Sequence, residues 1–200
     1  MSTPIDFYFD FSSPYGYIAS CLIDDMASKY ERVANWHAIV LDAHFQSIER
    51  IKIPQNLMRT DYIRRDAERL AAYYGIPFNT PTLLGVNTEM ASRLFLSIQD
   101  RSPSQGKAFA SLVLKAYFVE NRNIAVLEEL QQIASEVDIS TEEFNEISGN
   151  PASRARVKAE IDMAEARGVF GSPFFIVDGE RFWGNDRLPQ LERWLSSGPF

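Results

Sequence analysis

An α/β fold, built from a β-α-β unit and a terminal β-β-α unit with a long helical block between them, is predicted by three observations. The aromatic run Phe7-Tyr8-Phe9-Asp10-Phe11 reads as a buried strand. It stops at Ser12-Ser13-Pro14, and a helical pattern follows at once. Strand patterning returns only near the C-terminus, at Pro173-Phe174-Phe175-Ile176-Val177, after the helical stretch 46–167.

The elements follow in order. Residues 4–11, rich in Ile, Phe and Tyr, form the first strand. A helix is predicted over 14–30, with Ser12 or Ser13 as its N-cap and Pro14 in the first turn, where a missing N–H costs nothing. Residues 33–41, with Trp36 and Ile39-Val40-Leu41, form the second strand, parallel to the first because a helical crossover joins them. Helical patterns then occupy 60–74, 88–100, 104–120, 124–137, 141–147 and 151–167. Gly75-Ile76-Pro77 ends the first of these, and Ser148-Gly149-Asn150-Pro151 separates the last two. Asp178-Gly179 is a tight-turn pair between the strand 173–177 and the returning strand Arg181-Phe182-Trp183. A terminal helix over 187–196 carries Leu188, Leu191, Trp194 and Leu195 on one face. This order, βαβ…ββα around an all-helical insertion, is a thioredoxin-like fold. Residues 1–45 with 168–200 make the thioredoxin-like domain, and 46–167 make the insertion, packed on it as a lid.

Composition narrows the function. The chain has 200 residues, 46% hydrophobic and 24% charged, as ordinary globular proteins have. Its net charge of −7 argues against nucleic acid, which needs a basic face. One cysteine and two histidines leave no internal disulfide and argue against a zinc site; no metal is expected. Asp6 and Asp10 interrupt any leader-like apolar segment, and no apolar run reaches membrane-spanning length. A cytoplasmic protein without a membrane anchor is expected. Cys21 is read as a small core residue of the first helix.

Three segments can carry chemistry. Ser13-Pro14-Tyr15-Gly16 sits at the strand-to-helix turn where thioredoxin-like redox proteins hold Cys-x-x-Cys, yet both cysteine positions lack sulfur. A ligand that brings its own thiol fits such a site, because a helix N-terminus stabilises a thiolate and a serine hydroxyl can donate to it. Ser13 can equally be only a helix cap. Ser172-Pro173 opens a strand. A cis peptide there leaves backbone groups for a peptide-like ligand, whereas a trans edge proline is the plain alternative. In Trp183-Gly184-Asn185-Asp186-Arg187, Asn185 or Asp186 can cap the terminal helix. The same turn can instead offer backbone donors and a carboxylate to a zwitterion. A Ser-His-Asp triad finds no support: His37 and His44 lack motif context and there is no G-x-S-x-G elbow.

Together these segments resemble one family. Phe9-x-Phe11-Ser12-Ser13-Pro14-Tyr15-x-Tyr17 and Gly168-Val169-Phe170-Gly171-Ser172-Pro173-Phe174-Phe175, followed by Phe182-Trp183-Gly184-Asn185-Asp186-Arg187-Leu188, are similar to the 2-hydroxychromene-2-carboxylate isomerases. These group with the kappa-class glutathione transferases in the DsbA-like branch of the thioredoxin superfamily. Tyr62-x-x-Arg65-Asp66, Gly75-Ile76-Pro77-Phe78 and Asn87-Thr88-x-x-Ala91-x-Arg93 extend the likeness through the middle.

The resemblance implies a glutathione-dependent isomerase of 2-hydroxychromene-2-carboxylate or a related aromatic carboxylate, in naphthalene-type degradation, and a homodimer. It implies Ser13 as the catalytic residue that activates the glutathione sulfur. Ser172, Pro173, Asn185, Asp186 and Arg187 then hold glutathione. Lys52, Arg59, Tyr62 and Asn87 are the candidate substrate contacts. The family's Gly-Asn-x-Pro-Pro segment is replaced by Glu49-Arg50-Ile51-Lys52-Ile53-Pro54, and Arg59 stands where lysine is common, so the substrate itself can differ. A kappa-like transferase that consumes glutathione and a non-catalytic peptide-binding module are the alternative functions.

Overall fold

The computed structural model describes residues 3–41 and 57–200. Four strands form one sheet: β1 (Ile5–Phe9), β2 (Ala34–Ala38), β3 (Phe174–Val177) and β4 (Glu180–Trp183), in the order β2-β1-β3-β4. β1 pairs in parallel with β2, Phe7 opposite Trp36, and antiparallel with β3, Phe7 opposite Phe175. β3 returns antiparallel into β4 through Asp178-Gly179, both at positive φ (53° and 86°) as a two-residue hairpin turn requires. The mixed sheet and its order are those of the predicted thioredoxin-like fold.

Apart from Asp6, which pairs with His37 and Arg167, β1 is apolar or aromatic and buried, because helices cover both its faces. Alternation sends Ile5, Phe7 and Phe9 with Trp36, Phe175 and Val177 into the larger core. Phe7 and Phe175 stack at 5.4 Å, and Trp36 meets Phe7 edge-on at 5.3 Å. Tyr8 points the other way, into a smaller cluster with Phe174, Ile176, Ala164 and Val169.

Between β2 and β3 the described helices are α3 (Leu57–Tyr74), α4 (Glu89–Arg101), α5 (Pro103–Phe118), α6 (Leu127–Ser135), α7 (Thr141–Gly149) and α8 (Pro151–Ala166). Their starts follow capping chemistry. Ser102, Ser140 and Asn150 each accept a backbone N–H of the helix they cap, and proline follows Ser102 and Asn150. Phe95 of α4 packs edge-on against Phe9 and Phe11 at 5.5 and 6.2 Å, joining the helical block to the end of β1. Among the described residues no helix is long and apolar enough to cross a membrane.

Three expectations are corrected. The helix predicted over 14–30 is two: α1 (Pro14–Ser20) ends at Cys21, and α2 (Ile23–Lys29) begins after Leu22. Ile18 before the break and Ile23 after it both lie in the larger core. Cys21 lies in that break and is exposed instead of buried. The terminal helix, α9 (Leu188–Ser197), is preceded by a 3-10 turn over Asn185–Arg187, and neither Asn185 nor Asp186 caps it.

Candidate active site

The C-terminal end of β1 builds the site. Ser13 follows it as the N-cap of α1, with extended φ and ψ (−85°, 114°), and is 7% exposed. Its Oγ accepts the Gly16 N–H at 3.0 Å and donates to the Ser172 carbonyl oxygen at 3.2 Å. The hydroxyl therefore caps the helix and aims its proton at the turn before β3. The Ser172–Pro173 peptide is cis. Ser172 Oγ in turn accepts the Asp10 N–H at 2.9 Å.

Gly16 makes this closeness possible. A methyl group at its α-carbon would stand 2.8 Å from Ser172 Oγ and 3.3 Å from Ser13 Oγ. The third segment joins through Gly184, at φ 101°, whose N–H donates to the Pro173 carbonyl at 3.0 Å. The 3-10 turn behind it packs against α1. Asn185 in that turn is 3% exposed, and neither its Oδ1 nor its Nδ2 has a hydrogen-bond partner among the described residues. Buried amides are normally paired, which sets this one apart in the turn. Asp186 and Arg187 are exposed and pair with each other at 3.1 Å.

The two aromatic residues of the motif are committed elsewhere. Tyr15 donates to Asp66 Oδ2 at 2.8 Å and Tyr17 to the Pro77 carbonyl at 2.7 Å. Burial pushes both phenols well above the usual tyrosine value, so neither ionises near neutrality. They brace α1 against α3 and the loop that follows it.

Beside the Ser13 turn lies a cavity of about 610 Å³. Asp10 and Ser12 line it on the strand side, Val86, Val157 and Ile161 give an apolar wall, and Asn87, Arg154 and Lys158 a polar one. Arg154 spends its Nε on Glu89 at 2.8 Å, and Lys158 pairs with Asp162 at 2.6 Å. Packing of α8 on α4 brings both cations to the rim.

The structure thus gathers Ser13, Ser172, Pro173 and Asn185 at one place, with Asp186 and Arg187 at its edge. Asn87 lines the cavity. Arg59 and Tyr62 lie exposed on α3 and are absent from the cavity lining. Lys52 lies outside the described residues. Sequence reasoning missed Asp10, Gly16, Arg154 and Lys158. An acid inside an aromatic strand and a glycine in a first helical turn were usable signals. Nothing in the sequence singles out two basic residues on an exposed helix.

The DSBA-like thioredoxin domain matches residues 4–196. A 2-hydroxychromene-2-carboxylate isomerase of Sphingobium xenophagum is 29% identical over 98% of this chain and 99% of its own length. That of Pseudomonas putida is 31% identical over 94% and 92%. Glutathione S-transferase kappa 2 of Caenorhabditis elegans is 22% identical over 98% and 92%. A solved structure of 2-hydroxychromene-2-carboxylate isomerase superposes with a TM-score of 0.86, 28% identical, covering 96% of this chain and 94% of the other. The chain belongs to the DSBA-like thioredoxin domain family, in the group that holds the 2-hydroxychromene-2-carboxylate isomerases.

Proposed function

We propose that this protein is a glutathione-dependent isomerase of 2-hydroxychromene-2-carboxylate or a related aromatic carboxylate, serving aromatic degradation. The observation that carries the reading is the Asn185 amide, buried and unpaired in a turn packed on the helix that Ser13 caps. A tripeptide with a zwitterionic end suits that amide, which offers both a donor and an acceptor. The names of the relatives, isomerases and a kappa-class glutathione transferase, point the same way.

In this reading Ser172 and Pro173 hold the middle of glutathione, and Asn185, Asp186 and Arg187 its γ-glutamyl end. Bound glutathione supplies a sulfur nucleophile that is returned unchanged. Ser13 supplies the hydroxyl that favours the ionised sulfur, its single proton turning from the Ser172 carbonyl to the thiolate, and the α1 N-terminus adds its dipole. A free thiol has a pKa of about 8.5, so ionising it at neutrality takes a shift of about two units, or about 2.7 kcal/mol. A hydrogen bond to a charged group contributes roughly 1.5–3 kcal/mol and a helix terminus roughly 0.3–1, which together reach that size. Val86, Val157 and Ile161 suit an aromatic ring, while Asn87 and Arg154 face its carboxylate.

The test is an ultraviolet assay of chromene carboxylates with and without glutathione, alongside calorimetry of glutathione binding. Turnover is expected only with glutathione, which is recovered intact. Ser13→Ala should lower kcat by about 10²-fold or more while removing only about 0.5–2 kcal/mol of stability as a lost cap. The reading fails if millimolar glutathione does not bind or if Ser13→Ala turns over normally. Net loss of free thiol would assign a conjugating transferase in its place.

A further inference from the structure

We propose that Asp10 is a positioning residue for this site, holding the Ser13 hydroxyl in place through the turn it anchors. The inference rests on the glutathione reading above and names a residue that acts on Ser13 without touching the ligand.

Asp10 is 1% exposed. Its Oδ1 accepts the Ser12 N–H and the Ser12 hydroxyl, both at 2.6 Å, and its Oδ2 accepts the Leu41 N–H at 2.7 Å. A buried carboxylate persists only when its oxygens are satisfied, and here each oxygen has a donor. The main chain of Asp10 closes a ring. Its N–H donates to Ser172 Oγ at 2.9 Å, the Ser172 carbonyl accepts from Ser13 Oγ at 3.2 Å, and the Ser13 N–H returns to the Asp10 carbonyl at 3.0 Å. The side chain pins that ring to Ser12 on one side and to Leu41, in the segment that follows β2, on the other. Asparagine cannot replace it: one of its two positions is a donor and would face another N–H. The carboxylate thus ties the Ser12-Ser13 turn to Leu41, and the ring made with the Asp10 main chain carries Ser172 with it.

Asp10→Asn in the full chain tests this, with Ser12→Ala as the milder variant. The expected result is a kcat lower by about 10²-fold with KM changed by less than about threefold, because misplacing a reacting group by an ångström costs that much. The titration midpoint of the bound thiol, followed by thiolate absorbance, should rise, since the hydroxyl no longer meets the sulfur. Ser12→Ala should shift the midpoint the same way by less. Native kcat and midpoint in a folded Asp10→Asn overturn the proposal. If that variant does not fold, an unchanged midpoint in Ser12→Ala overturns it. Should wild type bind no glutathione, the glutathione reading is what fails. Amide exchange at Ser13 in the free protein then decides: loss of protection in Ser12→Ala supports the anchoring role, and unaltered protection overturns it.

Discussion

Gly16→Ala is the sharpest probe of how tightly the site is packed. In an unencumbered helix the change stabilises, because alanine is favoured over glycine by about 1 kcal/mol. Here the new methyl group would stand 2.8 Å from Ser172 Oγ and 3.2 Å from Ser13 Cβ. Ser13 cannot yield, since its Oγ caps the same helix through the Gly16 N–H. Ser172 can rotate only by giving up the Asp10 N–H it accepts at 2.9 Å. An unpaired buried donor costs about 1–3 kcal/mol, and overpacking costs a similar amount. Together, and after the propensity gain, the net loss is about 1–5 kcal/mol, or a Tm lower by about 2–20 °C in a chain of this size. Thermal unfolding followed by circular dichroism measures it, with Gly149→Ala as the control, because nothing lies within 4 Å of a methyl group there. The control should match or exceed wild type. If Gly16→Ala were also as stable as wild type, with turnover intact, the contact between the two serines would not be the constraint the geometry implies.

Two further outcomes follow from other parts of the structure. His37 stacks on Tyr8 at 4.5 Å, with Nδ1 2.6 Å from Glu160 and Nε2 3.3 Å from Asp6; Glu160 also pairs with Arg156, and Asp6 with Arg167. Burial lowers the His37 pKa, but the two carboxylates outweigh it and leave the value raised above 6.5. Its stabilisation is therefore complete below pH 6.5 and is lost as pH rises through the raised value. Burial likewise raises Asp6, yet His37 and Arg167 hold it at about 2, so its contribution disappears only in acid, as pH falls below 3.8. Wild-type Tm should fall by about 3–10 °C between pH 6 and pH 9, and His37→Gln should lack that fall; an equal fall in both would refute the assignment. On the cavity wall, Arg154→Gln should raise KM for a carboxylate substrate by about tenfold with kcat held, since its ion pair with Glu89 is largely exposed and adds little stability. An unchanged KM would remove Arg154 from substrate recognition.

The local order of the chain was legible from residues alone. Ser13-Pro14 announced a capped helix start, Asp178-Gly179 a hairpin, and Phe7-Tyr8-Phe9 a strand without a solvent face, because capping, turn geometry and double-sided burial leave marks on adjacent residues. The continuous helix over 14–30 failed for the same reason in reverse. Its break at Cys21-Leu22 answers to where the core lies, which no local pattern encodes. Ser13, Ser172 and Asn185 could be named from the family motifs, but their meeting depends on β3 inserting beside β1, across more than half the chain. Asp10 shows the division most clearly. In the sequence it interrupts an aromatic strand. Folding brings Ser12, Leu41 and Ser172 around it: its carboxylate accepts from the first two, and its backbone N–H donates to the third. Arg154 and Lys158 gave no sign at all, since only the packing of α8 on α4 decides which exposed cations face a cavity. Propensity and capping act between neighbours and are written in order along the chain. A binding site is a set of distances between strangers in sequence, and the burial of the two cores fixes those distances.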